Sequence, residues 1–69
     1  MTTCILIRRN PDNPKIEHAL TRPDGRIPYW GSYSEAYKHA PEKSIALEAP
    51  SLEAMQGYLG AHACLLVAA

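Results

Sequence analysis

The triplet Pro23-Asp24-Gly25 constrains this fold more than any other stretch of the chain. Proline pre-sets φ for the first turn position, aspartate can bond nearby backbone, and glycine accepts positive φ, so the chain must reverse here. The flanking residues suit strands. Lys15 to Arg22 alternates, with Ile16, His18 and Leu20 on one face and Glu17, Ala19 and Thr21 on the other, the period of a half-buried strand. Arg26 to Trp30 is expected to return as a third strand, with Pro28 confining it to an edge or a bulge. Thr3 to Arg9, apolar and β-branched at its centre, supplies the first strand, and the turn-dense Asn10-Pro11-Asp12-Asn13-Pro14 follows it. The front half thus reads as a β-meander.

Helical signals begin at Ser32. This serine as N-cap and Glu35 three residues later form a capping box. Tyr33, Ala36, Tyr37 and Ala40 then recur as the apolar stripe of a short helix, which Pro41 ends. On its solvent side Glu35 is within reach of Lys38 or His39. Ser44 to Glu48 suits a short strand with Ile45 and Leu47 facing inward. Pro50 and Ser51 open a second helix, with Leu52, Met55 and Leu59 as its buried stripe, Tyr58 alongside, and Gly60 past its end. His62 to Ala68 is uncharged and apolar on both faces, as expected of a central strand. Its expected place is beside Ser44–Glu48 or Thr3–Arg9, and any apolar face left over would pair with a second copy as a homodimer. The expected order is β-β-β-α-β-α-β. That describes one α+β domain over residues 1–69, a mixed sheet with two short helices packed on it.

A core built from so few residues is small. Sixty-nine residues lie near the lower limit for folding on hydrophobic burial alone. The chain has no phenylalanine and one tryptophan, so Leu, Ile, Met, Tyr and Trp30 must fill the interior, with alanine allowing close backbone approach.

Charge narrows the function classes. Seven basic and seven acidic residues cancel, which leaves no global field to steer the molecule to nucleic acid or membrane. Up to Gly31, Arg8, Arg9, Lys15, Arg22 and Arg26 outnumber Asp12, Glu17 and Asp24; beyond it, Glu35, Glu42, Glu48 and Glu53 outnumber Lys38 and Lys43. The apolar run Cys4 to Ile7 is too short for a signal peptide and precedes its arginines. The stretch Ala61 to Ala69 is too short for a membrane span. With Cys4 and Cys64 as its two cysteines, the chain is expected to be cytoplasmic with reduced thiols; a single disulfide between terminal strands is the alternative.

Catalytic chemistry finds little support. Cys4, His18, His39, His62 and Cys64 include no pair with zinc-site spacing, so no metal is expected. Ser34 with His39, or Cys64 with His62, are the conceivable nucleophile–base pairs, but Ser34 sits near a helix start and Cys64 is expected to point into the core. The four glycines are scattered and form no phosphate loop, so no cofactor is expected. A domain this small is also poorly able to enclose a pocket of about 300 Å³ or more. The expectation is a non-enzymatic protein.

Two resemblances bear on what it binds. Tyr29-Trp30-Gly31-Ser32-Tyr33, entered from Arg26 and followed by Glu35-Ala36-Tyr37, resembles the end of the meander in AP2 and integrase-arm DNA-binding domains. That resemblance covers about half the chain, and in that family the sheet presents Arg and Trp to the major groove. It implies DNA contacts by Arg8, Arg22, Arg26 and Trp30. Against it stand the Pro41 helix stop, the zero net charge and the acidic back half. By size and layout alone, the chain also resembles small phage-encoded proteins that bind and disable a host machine, anti-CRISPR proteins among them. The expectation is therefore a protein-binding module, an inhibitor acting by steric occupation of a host protein or complex. Its binding energy is expected in Arg22, Arg26, Tyr29 and Trp30, because Arg and large aromatics dominate interface hot spots. The alternative is a small nucleic-acid-binding regulator that uses the meander.

Overall fold

A computed structural model of the chain describes residues 2–8 and 19–69. In chain order they form strand β1 (Thr3–Arg8), β2 (Ile27–Tyr29), helix α1 (Tyr33–Lys38), β3 (Ser44–Ala49), α2 (Leu52–Leu59), a 3-10 helix (Gly60–Leu65) and β4 (Leu66–Ala68). The fold is α+β. Both α-helices start at the expected caps. The Ser32 hydroxyl accepts from the Glu35 N–H at 3.2 Å, and the Ser51 hydroxyl accepts from the Ala54 N–H at 3.1 Å. Each bond satisfies one of the donors that a helix start leaves without an intrahelical partner. At the other end of α2, Gly60 takes φ 61°, a left-handed value that glycine adopts without a Cβ clash.

β1 is the central strand. On one side it pairs antiparallel with β3, Ile5 opposite Leu47 and Ile7 opposite Ile45. On the other, the Cys4 N–H donates to the Trp30 carbonyl and the Trp30 N–H to the Cys4 carbonyl, both at 2.9 Å, while the Leu6 carbonyl accepts from Leu20 N–H at 2.8 Å. Ala19, Leu20 and Trp30 thus line one edge of β1 in two pieces, and the chain between them leaves that edge. During this excursion β2 pairs in parallel with β4, Ile27 opposite Leu66 and Tyr29 opposite Ala68. Pro28 is tolerated in so short a strand near the margin of the sheet, where a missing N–H costs least.

The two faces of β1 feed two clusters. Ile5 and Ile7 pack with Ile27, Met55 and Leu59, which places α2 over one face. Cys4 and Leu6 pack with Ala36, and Leu20, Trp30, Ala40 and Ala46 close around them, which places α1 over the other. A strand covered on both faces must be apolar at every position, and Thr3 to Ile7 is buried without a break.

Four expectations need correction. The meander does not form among the described residues: half of the expected second strand, Lys15 to His18, lies outside them, and β2 pairs with β4. The stretch His62 to Ala68 is not a central strand. Ala61 to Leu65 belongs to the 3-10 helix and only Leu66–Ala68 pairs, with β2 and not with β1 or β3. Alanine-rich sequence favours helical backbone, and a short run apolar on both faces has no period that separates strand from helix. Tyr33 and Tyr37 are not buried; they are 48% and 59% exposed and stack on each other at 5.7 Å. Ala36 and Ala40 seat α1 instead, because small side chains let its backbone approach β1. Finally, Cys64 is exposed and Cys4 is buried, and both are free thiols.

The two cysteines therefore differ in reactivity. Burial pushes the Cys4 thiol above its ordinary pKa, and the nearby Glu48 carboxylate adds in the same direction. In a thiol titration of the native protein, Cys64 should react promptly and Cys4 only on unfolding. Because the folded-state pKa of Cys4 is raised, its contribution to stability is present below the unfolded value of 9.0 and is lost as pH rises beyond it. Cys4→Ala should remove that alkaline loss. Rapid labelling of both thiols in the native state would contradict the packing of β1.

Candidate functional site

The excursion between Leu20 and β2 ends in a turn whose residues, from Thr21 to Arg26, are all exposed. Its backbone is closed by three hydrogen bonds. The Gly25 N–H donates to the Arg22 carbonyl at 2.8 Å, and the Arg22 N–H donates to the Arg26 carbonyl at 2.7 Å. The Arg26 N–H donates to Asp24 Oδ1 at 3.0 Å. Gly25 takes φ 84°, the left-handed position the triplet required. The Asp24 carboxylate also lies 4.0 Å from the Arg22 guanidinium. With both groups about half exposed, that ion pair contributes little stability. The turn holds Arg22 and Arg26, four residues apart, across a backbone hydrogen bond.

The other two expected contact residues have a different setting. Tyr29 and Trp30 are consecutive and face opposite ways, Tyr29 onto the cluster around Ile5 and Trp30 onto the cluster around Leu6. The Trp30 ring stacks on the His39 ring at 5.5 Å with 16° between the planes. Trp30 thereby ties the end of the excursion to the end of α1. The structure brings Arg22 and Arg26 together and leaves Tyr29 and Trp30 half-buried at the base. Arg8, implicated by the DNA-binding resemblance, is exposed at the end of β1.

A second surface was missed by the periodicity of the sequence. Tyr33, Tyr37 and Tyr58 are the large hydrophobic side chains that the described residues expose. Tyr33 and Tyr37 border an open hollow of about 430 Å³ that reaches Ser44 and Ile45 at the start of β3. Tyr58 borders a smaller one of about 140 Å³, with Leu47, Glu48 and Met55. The i, i+4 spacing of Tyr33 and Tyr37 is the same for a buried stripe and an exposed pair. Only the proximity of Ala36 and Ala40, small residues that seat the helix, signalled which face would turn inward.

For chemistry the described residues offer no convergent set. No group of three or more His, Cys, Asp or Glu among them is placed to hold a metal ion. The Ser34 hydroxyl lies 3.3 Å from that of Ser32 at the start of α1. The Cys64 thiol donates to the Ala61 carbonyl at 3.7 Å. Among the described residues no helix is long and apolar enough to cross a membrane.

No family model matches the chain, and neither a curated protein nor a solved structure matches it.

Proposed function

We propose that this protein is a non-enzymatic protein-binding module that engages its partner with the Thr21–Arg26 turn and acts by occupying the partner's surface, as a phage or mobile-element inhibitor of a host complex would. The observation that carries this reading is the backbone-closed turn on which Arg22 and Arg26 are both exposed. A loop already held in one conformation binds without the entropy cost of ordering it, and arginine is enriched where interface energy concentrates. Asp24 between the two arginines makes the tip mixed in sign. That suits a protein surface, with its paired acids and bases, better than a polyanion such as DNA.

The test starts from capture of a partner on the immobilised protein from extracts of the native host, followed by titration with the purified partner. Arg22→Ala and Arg26→Ala should each weaken binding by about tenfold or more, the loss typical of hot-spot residues. Random-sequence DNA should bind poorly at physiological salt. Unchanged partner affinity in both variants would remove the turn from the interface. Tight DNA binding that falls steeply with salt would favour the nucleic-acid regulator instead.

A further inference from the structure

We propose that the outer edge of β3 is a self-association site at which a second copy of this chain adds its own β3 antiparallel, continuing the sheet. Both main-chain groups of Cys4 are spent on Trp30 and the Leu6 carbonyl on Leu20, so Thr3, Ile5 and Ile7 face β3. By strand alternation Ile45, Leu47 and Ala49 face β1 in return, and the N–H and C=O groups of Ala46 and Glu48 point outward with the carbonyl of Ser44, whose N–H is taken by the Pro41 carbonyl at 3.2 Å. Among the described residues no strand pairs with that edge. A strand edge with unpaired groups is a template for another strand.

One pair of charges across the edge is complementary, Lys43 of one copy with Glu48 of the other, beside Glu42. Lys43 stands at its start and Glu48 near its end. Antiparallel pairing about a two-fold axis at Ala46 brings Glu48 of one copy opposite Ser44 of the other, one residue from Lys43. Moving the axis to Glu48 would place two carboxylates opposite each other, and parallel addition would align like with like, so charge favours the axis at Ala46 over these two arrangements. The methyl group of Ala46 at the axis lets the two edges approach closely.

The exposed aromatics lie along the same seam. The hollow bordered by Tyr33 and Tyr37 opens beside the start of β3 under α1, and that bordered by Tyr58 opens beside its end under α2. A two-fold axis perpendicular to the sheet keeps α1 of both copies on one face and α2 on the other. The tyrosines of one copy then meet the neighbouring copy across the new strand pair. This site lies at the far side of β1 from the arginine turn, so the inference is independent of the proposed function and would give a dimer carrying two turns.

The test is analytical ultracentrifugation of the full chain over a concentration series, with amide hydrogen exchange at Ala46 and Glu48. The expected result is a monomer–dimer equilibrium, with both amides protected only as the dimer fills. Glu48→Lys should weaken the dimer by about tenfold, because the two-fold axis counts each new Lys–Lys approach twice. Adding Lys43→Glu to it should restore association. Tyr37→Glu should give a folded monomer, because Tyr37 is exposed and its change leaves the core untouched. A wild-type chain that stays monomeric throughout, or a dimer indifferent to both Glu48→Lys and Tyr37→Glu, would overturn the proposal. A monomer whose β3 edge is protected only by a strand from another protein would overturn it too.

Discussion

Ile5→Ala should cost about 3–4 kcal/mol, the range for removing a large aliphatic side chain from a core that relaxes only in part. Ile5 is fully buried at the centre of β1 and shares its cluster with Ile27, Met55 and Leu59. A domain of this size has a thin stability margin, so the variant should melt roughly 20 °C lower or unfold at body temperature. Thermal and urea unfolding followed by circular dichroism measure this directly. Gln56→Ala serves as the contrast, because an exposed residue on the outer face of α2 should change stability by about 0.5 kcal/mol or less. Equal losses in the two variants would mean that β1 is not the strand on which both helices are built.

Trp30→Ala should be the next most damaging change, at about 2–3 kcal/mol. The residue is half-buried, so it loses less transfer energy than a core tryptophan. To that loss is added the stacked contact with His39, for which aromatic pairs contribute about 0.5–1.5 kcal/mol beyond buried area. His39→Ala should cost about 1 kcal/mol, and the double variant should cost less than the sum of the two, since both remove the same contact. Strict additivity would show that the rings do not interact in solution. The Trp30 variant also separates roles: binding lost beyond what unfolding explains would count Trp30 as a contact residue, whereas Arg22→Ala should weaken binding with stability unchanged.

Short-range chemistry was the legible layer of this sequence. The caps at Ser32 and Ser51, the turn at Pro23-Asp24-Gly25, and the inward positions Ile45 and Leu47 all follow from neighbours a few residues apart, and each stands where it was expected. Pairing between distant segments was not legible. Nothing local says that Trp30 returns to Cys4, or that Leu66 lies beside Ile27. Such pairings depend on which apolar faces compete best for β1, and that is a property of the whole chain. The same limit explains the tyrosines of α1. Helical spacing gives two faces, and the choice between them depends on how closely Ala36 and Ala40 can approach Cys4 and Leu6. For the candidate site, the turn itself was visible in Pro23-Asp24-Gly25. That Tyr29 and Trp30 would split across two clusters depended on where the sheet passes between the helices.

The two proposals put a binding end at the Thr21–Arg26 turn on one side of β1 and a pairing end at the outer edge of β3 on the other. Hydrogen exchange of the protein with and without its captured partner, read by mass spectrometry residue by residue, tests that separation most directly. New protection should appear in the turn and its flanks, from Thr21 to Ile27, while Ala46 and Glu48 keep the protection they have at the same concentration without partner. A footprint confined to β3 and the exposed faces of α1 and α2, with the turn exchanging as before, would contradict the account.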